Sequence, residues 1–318
     1  MDATSRSSSK LLHGGLRYLE NGELRLVREA LRERDAWLER APELAWPIRL
    51  TLPIYRTSRR PRWMVGIGLF AYDRIAGRSI LPSARWHSAM TLASRDPALR
   101  RDGLVGGYEF SDGQMDDQAL GLWVAQQARQ LGVRLQEHAE VTSFTPSGSV
   151  VVFGRVIQYD WVINVAGPWA AVLLEASGLS SPYRLDLIRG SHLIIDRPAS
   201  HPYLLEVPSD RRIFFVLPWK EKTLIGTTEV RQEIGEAIRC DENEQRYLLS
   251  AYRHYFPDSQ SSVIETFAGV RPLLKSTSDP SRASREYAIH RDGRTITVFG
   301  GKWTTALALA QKVNRYVQ

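Results

Sequence analysis

Two apolar strands that each continue through a glycine turn into a helix constrain the fold of this 318-residue chain more than any other feature. Residues 161–165 form the first strand, which runs towards Gly167, and residues 295–299 form the second, which continues through Gly300 and Gly301. In α/β folds, ligands bind in the crevice at the carboxyl ends of such strands. The pattern predicts an α/β sheet and makes both turns candidate nucleotide contacts.

Two helices are predicted with clear ends. Residues 22–40 repeat apolar side chains every three to four positions, which is the period of an amphipathic helix, and Pro42 ends the run. Asp116 precedes a second periodic run, and Gly132 follows it as a stop. Both segments are expected to pack one apolar face against the protein.

The rest of the sequence is rich in predicted strands. They lie at 133–135, 141–144, 150–153, 161–165, 191–195, 213–217 and 295–299, and one more helix is predicted at 241–256. This order fits the later part of an α/β nucleotide-binding domain. The β-rich stretch from 183 to 230 predicts a second, largely antiparallel domain, so the expected class is α/β with α+β character.

Composition excludes several kinds of site. Cys240 is the only cysteine, so the chain cannot build a disulfide framework or a cysteine zinc site within itself. No two of the seven histidines stand at i and i+4, and we expect no metal site. No run approaches the roughly 18 apolar residues of a membrane-spanning helix, and the start lacks the apolar region of a signal peptide. A cytoplasmic location is therefore expected.

The net charge of +7 is compatible with an anionic partner such as nucleic acid, a phosphorylated metabolite or acidic lipid. The basic residues are spread widely, however, and the densest run, 59–62, contains a proline that is typical of a loop. Neither zinc-finger spacing nor an RNA-binding aromatic signature accompanies it. We expect no nucleic-acid partner.

Residues 66–71 match the G-x-G-x-x-G/A pattern of dinucleotide binding, but their context contradicts that function. The motif requires a buried strand immediately before it, whereas residues 59–63 are basic and interrupted by Pro61. These glycines are predicted to serve helix packing instead.

Three short segments carry the residue types that bind anions or reacting groups. His13 to Tyr18 combine two glycines with a histidine, an arginine and a phenol, although a simple turn or a hydrolase oxyanion loop would use similar residues. Arg271 stands between Gly269 and Pro272, a rigid setting for a bidentate anion contact or for a surface turn. Residues 300–305 offer amides, a lysine and hydroxyls at a helix N-terminus, without Walker spacing.

Taken in order, these motifs resemble those of the FAD-dependent (aerobic-type) glycerol-3-phosphate dehydrogenase family, in the D-amino-acid-oxidase-like superfamily. The segments that carry the resemblance are 8–20, 164–169, 190–192, 217–219, 225–228, 269–273 and 299–305. Seven motifs in the same order make chance similarity improbable.

The resemblance implies an incomplete FAD-binding Rossmann-like domain with an inserted, largely antiparallel substrate domain. It assigns residues 1–48, 106–182 and 294–318 to the FAD-binding domain, and 49–105 and 183–293 to the substrate domain. The family opens with a strand, a glycine-rich turn and a helix that bind the FAD pyrophosphate, and Met1 falls just after that unit. An N-terminally truncated member is therefore expected.

The resemblance also implies an activity: oxidation of sn-glycerol 3-phosphate to dihydroxyacetone phosphate, with hydride passing to FAD and electrons to a quinone. Oxygen is the alternative acceptor, and membrane contact is limited to peripheral attachment at the cytoplasmic face. The implied catalytic residues are His13, Arg17, Tyr18, Arg271, Arg285 and Lys302, and the general base among them is left open. The implied cofactor contacts are Ser9, Lys10, Leu11, His13, Gly14, Gly15, Ala166, Gly167, Trp169, Gly300, Gly301, Lys302, Thr304 and Thr305.

Two other functions stay open on the sequence. A non-catalytic remnant would bind a phosphometabolite without turnover and would be colourless when purified. An amine or amino-acid oxidase of the same fold would direct its substrate arginine at a carboxylate, and its activity would need no phosphate.

Overall fold

The computed structural model describes residues 3–20, 22–77, 79–259, 261–275 and 287–318, apart from the side chain of Arg17. Eight α-helices lie within these ranges: α1 Leu16–Glu20, α2 Leu24–Arg40, α3 Arg62–Ala76, α4 Ala89–Arg95, α5 Asp117–Gln130, α6 Ala170–Ala176, α7 Glu242–Tyr255 and α8 Ala306–Asn314. None of these described helices is long and apolar enough to span a bilayer.

Sixteen strands lie in the same ranges and form three sheets. They are β1 Leu11–Leu12, β2 Ala45–Tyr55, β3 Arg85–Ser88, β4 Leu104–Met115, β5 Val141–Phe144, β6 Ser149–Val152, β7 Arg155–Gln158, β8 Val162–Asn164, β9 Leu185–Ile195, β10 Tyr203–Glu206, β11 Ile213–Trp219, β12 Lys222–Gly226, β13 Val230–Arg231, β14 Val263–Leu274, β15 Ala288–Asp292 and β16 Thr295–Phe299.

A ten-stranded sheet forms the centre of the molecule. Its main path runs β1-β4-β2-β10-β11-β12-β9-β13, with β3 also on β4 and β14 also on β9. The pairings are antiparallel except between β2 and β10, which run parallel and join at Thr51 and Tyr203. The sheet therefore unites two groups of strands that are far apart in sequence.

Two small sheets complete the architecture. In one, β16 pairs in parallel with β8 and antiparallel with β15, and in the other β5, β6 and β7 form an antiparallel meander. The parallel pair ends at the two glycine turns that the sequence singled out. The α/β class with a largely antiparallel sheet is confirmed.

The domain division by residue number remains a prediction. Strand β2 passes through the expected boundary at residue 48 and β4 through the one at residue 105, while these two strands pair along their whole length. Residues of both expected domains thus share one sheet.

Most helix and strand predictions are confirmed. Helix α2 ends at Arg40, just before the expected stop at Pro42, and α5 begins after Asp116, whose carboxylate caps it by accepting a hydrogen bond from the Ala119 amide at 3.0 Å. The expected strand at 133–135 is wrong: these residues are exposed and make no strand pairing. Its apolar side chains have no partner strand to cover them.

The glycine pattern at 66–71 lies inside α3, as its context predicted. A Cβ on Gly66 would lie 2.4 Å from the Tyr108 hydroxyl oxygen, so this glycine lets α3 pack closely on β4. A helix-packing function is confirmed for this position.

Candidate functional site

One large cavity, of about 1670 Å³, lies between the ten-stranded sheet and the parallel β8–β16 pair. It collects most of the predicted site residues, although they come from distant parts of the chain. Those that line it are Ser9, Leu11, His13, Gly15, Tyr18, Ala166, Gly167, Trp169, Arg271, Gly300, Gly301, Lys302 and Thr304. The sequence motifs therefore converge on a single site.

The segment His13–Gly15, called here the His13 turn, enters the cavity between β1 and α1. Gly15 has a φ of +76°, and a Cβ there would lie 2.1 Å from the Tyr18 ring. A Cβ on Gly14 would lie 2.3 Å from a Leu31 methyl carbon. Both positions need glycine because there is no room for a side chain, and Gly15 also adopts a left-handed backbone.

The His13 turn is connected to the first helix through its backbone. The Tyr18 amide donates to the Gly15 carbonyl at 2.8 Å, and the Tyr18 ring then lies under the Lys302 ammonium, whose Nζ is 4.4 Å from the ring centroid. The Tyr18 hydroxyl is buried and has no hydrogen-bond partner among the described residues. A polar group of a ligand would satisfy it.

Arg271 lies on β14 and also lines the cavity. Its guanidinium donates to the Thr228 carbonyl at 2.9 Å and lies 3.7 Å from a Glu229 carboxylate oxygen. A Cβ on Gly190 would approach the guanidinium to 3.0 Å, so that glycine leaves room for it. The arginine is held in a fixed, half-buried orientation, as a bidentate anion contact requires.

The two strand-end turns follow the adjacent parallel strands β8 and β16, and both line the cavity. Gly300 and Gly301, called here the Gly300 turn, have φ values of +79° and +97°. The other turn is fixed by Asn164, whose side chain accepts from the Ala166 amide at 3.2 Å and donates to the Ala170 carbonyl at 3.0 Å. Backbone amides at such turns can bind anionic groups.

His192 is a cavity residue that the candidate set did not include. It lies on β9, contacts the Ser9 hydroxyl through Nε2 at 2.9 Å and stacks on Phe267 at 4.8 Å. Burial, with the charges of Arg271 and Lys10, lowers the pKa of His192 to about 3. The imidazole is therefore neutral at ordinary pH. The sequence feature that could have identified His192 is the motif 190–192, of which it is the last residue.

Asp112 is a second residue that sequence reasoning missed. It is 3% exposed, lines the cavity and accepts hydrogen bonds from the Gly14 amide, the Tyr72 hydroxyl and the Arg34 guanidinium. In the sequence, it is the single carboxylate among residues 110–115, and the structure buries all six of these positions on β4.

Some predicted contacts lie behind the cavity wall. Lys10 is buried, and its ammonium donates to the Asp117 carboxylate at 2.6 Å and to the Arg6 carbonyl at 2.7 Å. Gly14 and Thr305 are also buried and do not line the cavity. Arg17 lies in α1, but its side chain is outside the described part, and Arg285 lies outside the described residues altogether.

Comparison with known proteins assigns the fold to a family. The FAD dependent oxidoreductase family matches residues 1–314. The chain belongs to this family.

Relatives within this FAD dependent oxidoreductase family include two enzymes of phosphorylated polyols. The aerobic glycerol-3-phosphate dehydrogenase of Escherichia coli is 38% identical, and the D-erythritol 1-phosphate dehydrogenase of Brucella abortus is 36% identical, each over 97% of this chain. The chain spans 65% of the length of each of them. A solved glycerol-3-phosphate dehydrogenase from Bacillus halodurans, complexed with FAD, has the same fold, with a TM-score of 0.76, 24% identity and coverage of 99% of this chain and 57% of that one.

FAD is the cofactor of this family, and the cavity fits it. Ligand pockets commonly measure about 300–1,000 Å³, so a cavity of about 1670 Å³ has room for a dinucleotide. The left-handed glycines of the Gly300 turn allow close backbone approach, and the buried Tyr18 hydroxyl needs a partner. In the described part of the chain, no cluster of His, Cys, Asp or Glu side chains could hold a metal ion.

Proposed function

We propose that this chain carries the substrate site of a flavin-dependent oxidation of sn-glycerol 3-phosphate to dihydroxyacetone phosphate. The observation that carries the proposal is the meeting of Arg271, Lys302, His13 and Tyr18 in one cavity beside the Gly300 turn. The two relatives that act on phosphorylated polyols support the same substrate class. The activity is assigned to the protein as a whole, since the chain spans 65% of those relatives.

The cations of the cavity suit a small phosphoester. The Arg271 guanidinium, oriented by the Thr228 carbonyl, is the proposed phosphate contact. Arg17 and Arg285 are proposed to act with it. Phosphate binding at this end would direct the substrate carbinol towards His13, Tyr18 and Lys302.

Bound FAD supplies a hydride acceptor for the substrate C2 carbon. The Lys302 ammonium and the amides of the Gly300 turn would stabilise negative charge that develops beside them. The proton of the C2 hydroxyl must go to a group on this chain, and His13, Tyr18 and Lys302 are the candidates because they line the reacting end.

The first experiment tests the chain for flavin and for its electron donor. The purified chain is mixed with FAD, and bleaching of the flavin absorbance is followed with glycerol 3-phosphate, D-erythritol 1-phosphate, glycerol or glycine. We expect bleaching with a phosphorylated donor only. Arg271→Lys should raise KM at least tenfold, because a bidentate phosphate contact is lost, whereas the exposed control Arg155→Lys should not.

Three results would overturn the proposal in different ways. A chain that binds glycerol 3-phosphate but no flavin, even with FAD in excess, would indicate the non-catalytic function. Bleaching by glycine that is insensitive to phosphate would indicate the amino-acid oxidase. Equal rates with glycerol and glycerol 3-phosphate would exclude the phosphate site.

We further propose that electrons pass to a quinone at a membrane surface that the chain contacts through α3. One stripe of this helix consists of Trp63, Ile67, Phe70 and Arg74, at the i, i+4, i+7 and i+11 positions of one face. Its three apolar side chains are 64%, 63% and 61% exposed. We call these four residues the α3 stripe.

Charge supports an anionic lipid surface as the partner of the α3 stripe. The Arg74 guanidinium lies 5.0 Å from the Phe70 ring centroid, and Arg59 and Arg62 are exposed at the start of the helix. An apolar stripe bordered by arginines is typical of helices that lie in the membrane interface. Ile67 also lines the cavity, so the stripe borders it.

Vesicle sedimentation tests this surface. The chain should bind phosphatidylglycerol vesicles more strongly than phosphatidylcholine vesicles, and Phe70→Glu should weaken binding at least tenfold. Val156→Glu is the matched control, since Val156 is 71% exposed on the distant strand β7. Equal binding by both variants would exclude the α3 stripe as the contact.

A further inference from the structure

We infer that Asp112 is a positioning residue that sets the geometry of the His13 turn, and through it the Tyr18–Lys302 contact. The Asp112 carboxylate contacts the His13 turn through the Gly14 amide. Its effect would pass through the backbone of Gly14 and Gly15. The inference concerns the same cavity as the proposed function, but the geometric part of it holds whatever the substrate is.

Three groups from different parts of the chain donate to the Asp112 carboxylate. The Gly14 amide donates to Oδ1 at 3.1 Å and the Arg34 guanidinium donates to the same oxygen at 3.2 Å. The Tyr72 hydroxyl lies 3.1 Å from Oδ1 and 3.2 Å from Oδ2. The loop before α1, helix α2 and helix α3 are thus tied to one side chain on β4.

Tyr72 has a second contact with the same amide. Its hydroxyl oxygen accepts from Gly14 N at 3.0 Å while its proton is directed to Asp112. Burial and the neighbouring carboxylate keep the pKa of Tyr72 well above its ordinary value, so the phenol remains a donor. The Gly14 amide is therefore shared between two acceptors that hold each other in place.

Sterics leave this arrangement little freedom. A Cβ on Gly14 would lie 2.4 Å from the Tyr72 hydroxyl and 2.3 Å from Leu31, so the backbone of the turn is pressed against both residues. The position of the turn also affects Tyr18, because the Gly15 carbonyl accepts a hydrogen bond from the Tyr18 amide at 2.8 Å. Moving the Gly14 amide would therefore move the Tyr18 ring relative to Lys302.

The burial of the network explains why a carboxylate, and not an amide, suits this position. Arg34 is 2% exposed and pairs with the carboxylates of Asp112 at 3.2 Å and of Asp35 at 2.8 Å. Loss of the Asp112 anion would leave this buried positive charge less well compensated. Burial raises the pKa of Asp112, while Arg34, the Gly14 amide and the Tyr72 hydroxyl act against that rise. An aspartate can accept all three donors, whereas an asparagine would direct an NH₂ group at one of them.

Hydrogen exchange of the full chain tests the inference without reference to activity. In Tyr72→Phe the Gly14 amide keeps only Asp112 as an acceptor, and we expect its exchange to accelerate about fivefold, the factor for one neutral hydrogen bond. In Asp112→Asn we expect a larger acceleration in the peptide that covers residues 10–19.

Tyr203 and Asp96 provide the matched control. The Tyr203 hydroxyl donates to the Asp96 carboxylate at 2.9 Å, both residues are buried, and neither lines the cavity. Tyr203→Phe and Asp96→Asn should destabilise the fold while leaving exchange at 10–19 unchanged after correction for global unfolding. Equal acceleration by Tyr72→Phe and Tyr203→Phe would overturn the positioning function.

An activity measurement separates this inference from the proposed function. If glycerol 3-phosphate is oxidised, Tyr72→Phe should lower kcat about tenfold with little change in KM, because Arg271 and the phosphate end are untouched. A change in exchange at 10–19 with no oxidation by the parent chain would support Asp112 and contradict the proposed function. If exchange at 10–19 is unchanged and the chain oxidises glycerol 3-phosphate, the proposed function is supported and the positioning function of Asp112 is contradicted.

Discussion

The His13 turn and the Gly300 turn face the same cavity but are held by different means. The Gly300 turn is the direct continuation of β16 into α8, and its outer support comes from half-buried contacts, such as that of the Ala308 amide with Glu33 at 2.8 Å. The His13 turn follows a strand of only two residues, and its central amide depends on the buried Asp112 and Tyr72. Both turns are thus supported from distant parts of the chain, but the Gly300 turn through half-buried contacts and the His13 turn through a fully buried carboxylate and phenol.

This difference implies that the two turns should respond differently to substitution. Removal of a buried charge partner should distort the His13 turn, whereas the Gly300 turn should tolerate loss of its surface ion pairs.

Arg34→Met should have the largest effect, a loss of about 3–5 kcal/mol in the free energy of unfolding, because it leaves the Asp112 charge buried without its guanidinium. Lys312→Met, which removes the partly buried pair between α8 and Glu29, should cost less than about 1 kcal/mol. Urea denaturation of both variants measures the difference. Similar losses would remove the distinction between the two turns.

Gly14→Ala should cost up to about 3 kcal/mol, since the added methyl group meets Leu31 and Tyr72 at 2.3 and 2.4 Å. Gly68→Ala is its control, because a Cβ on that glycine of α3 meets nothing within 4 Å. The control should instead stabilise the protein by about 0.5–1 kcal/mol, through better helix propensity. Thermal and urea unfolding should both show destabilisation by Gly14→Ala and stabilisation by Gly68→Ala.

Acid should weaken the region around Ser9 and the His13 turn through His192. Its folded pKa of about 3 lies below the ordinary 6.5, so its contribution to stability is complete above about pH 6.5 and is lost as the pH falls towards 3. At about pH 5 the loss should be about 2 kcal/mol relative to neutral pH. His192→Asn should flatten this dependence, whereas His138→Asn, at an exposed position, should leave it unchanged.

Gly301→Ala should have the smallest effect of the four, about 1–2 kcal/mol, because the residue has a φ of +97° and a Cβ there would lie 3.0 Å from a Leu309 methyl carbon. Since Leu309 can shift, most of the cost is expected in the backbone. A loss as large as that of Gly14→Ala would show that the Gly300 turn is as constrained as the His13 turn. Urea unfolding at neutral pH is the measurement.

The contrast between the turns also explains what the sequence could and could not predict. The strand at 295–299, its glycine turn and the following helix are contiguous, so periodicity and punctuation were enough to find them. Helices α2 and α5 were predicted for the same reason. The strand expected at 133–135 failed because pairing depends on a partner, which local sequence does not specify.

The support of the His13 turn was not predictable in this way. Asp112 acts on residues 14, 34 and 72, and no sequence spacing links these positions before the chain folds. The motif 13–18 itself was recognised by resemblance, and the structure brings its described side chains to the same cavity as Arg271 and Lys302. The resemblance did not identify Asp112, the buried carboxylate that binds the backbone of this turn.

Helix α3 carries Phe70 on its outer face and Tyr72 on its inner face, two residues apart. Successive residues of an α-helix are rotated by about 100°. Deletion of a single residue early in this helix would therefore turn the Phe70 ring towards the buried direction of Leu69 and carry the Tyr72 phenol away from the Gly14 amide. A change in the number of residues of this helix should therefore destabilise the protein far more than point substitutions on either face alone.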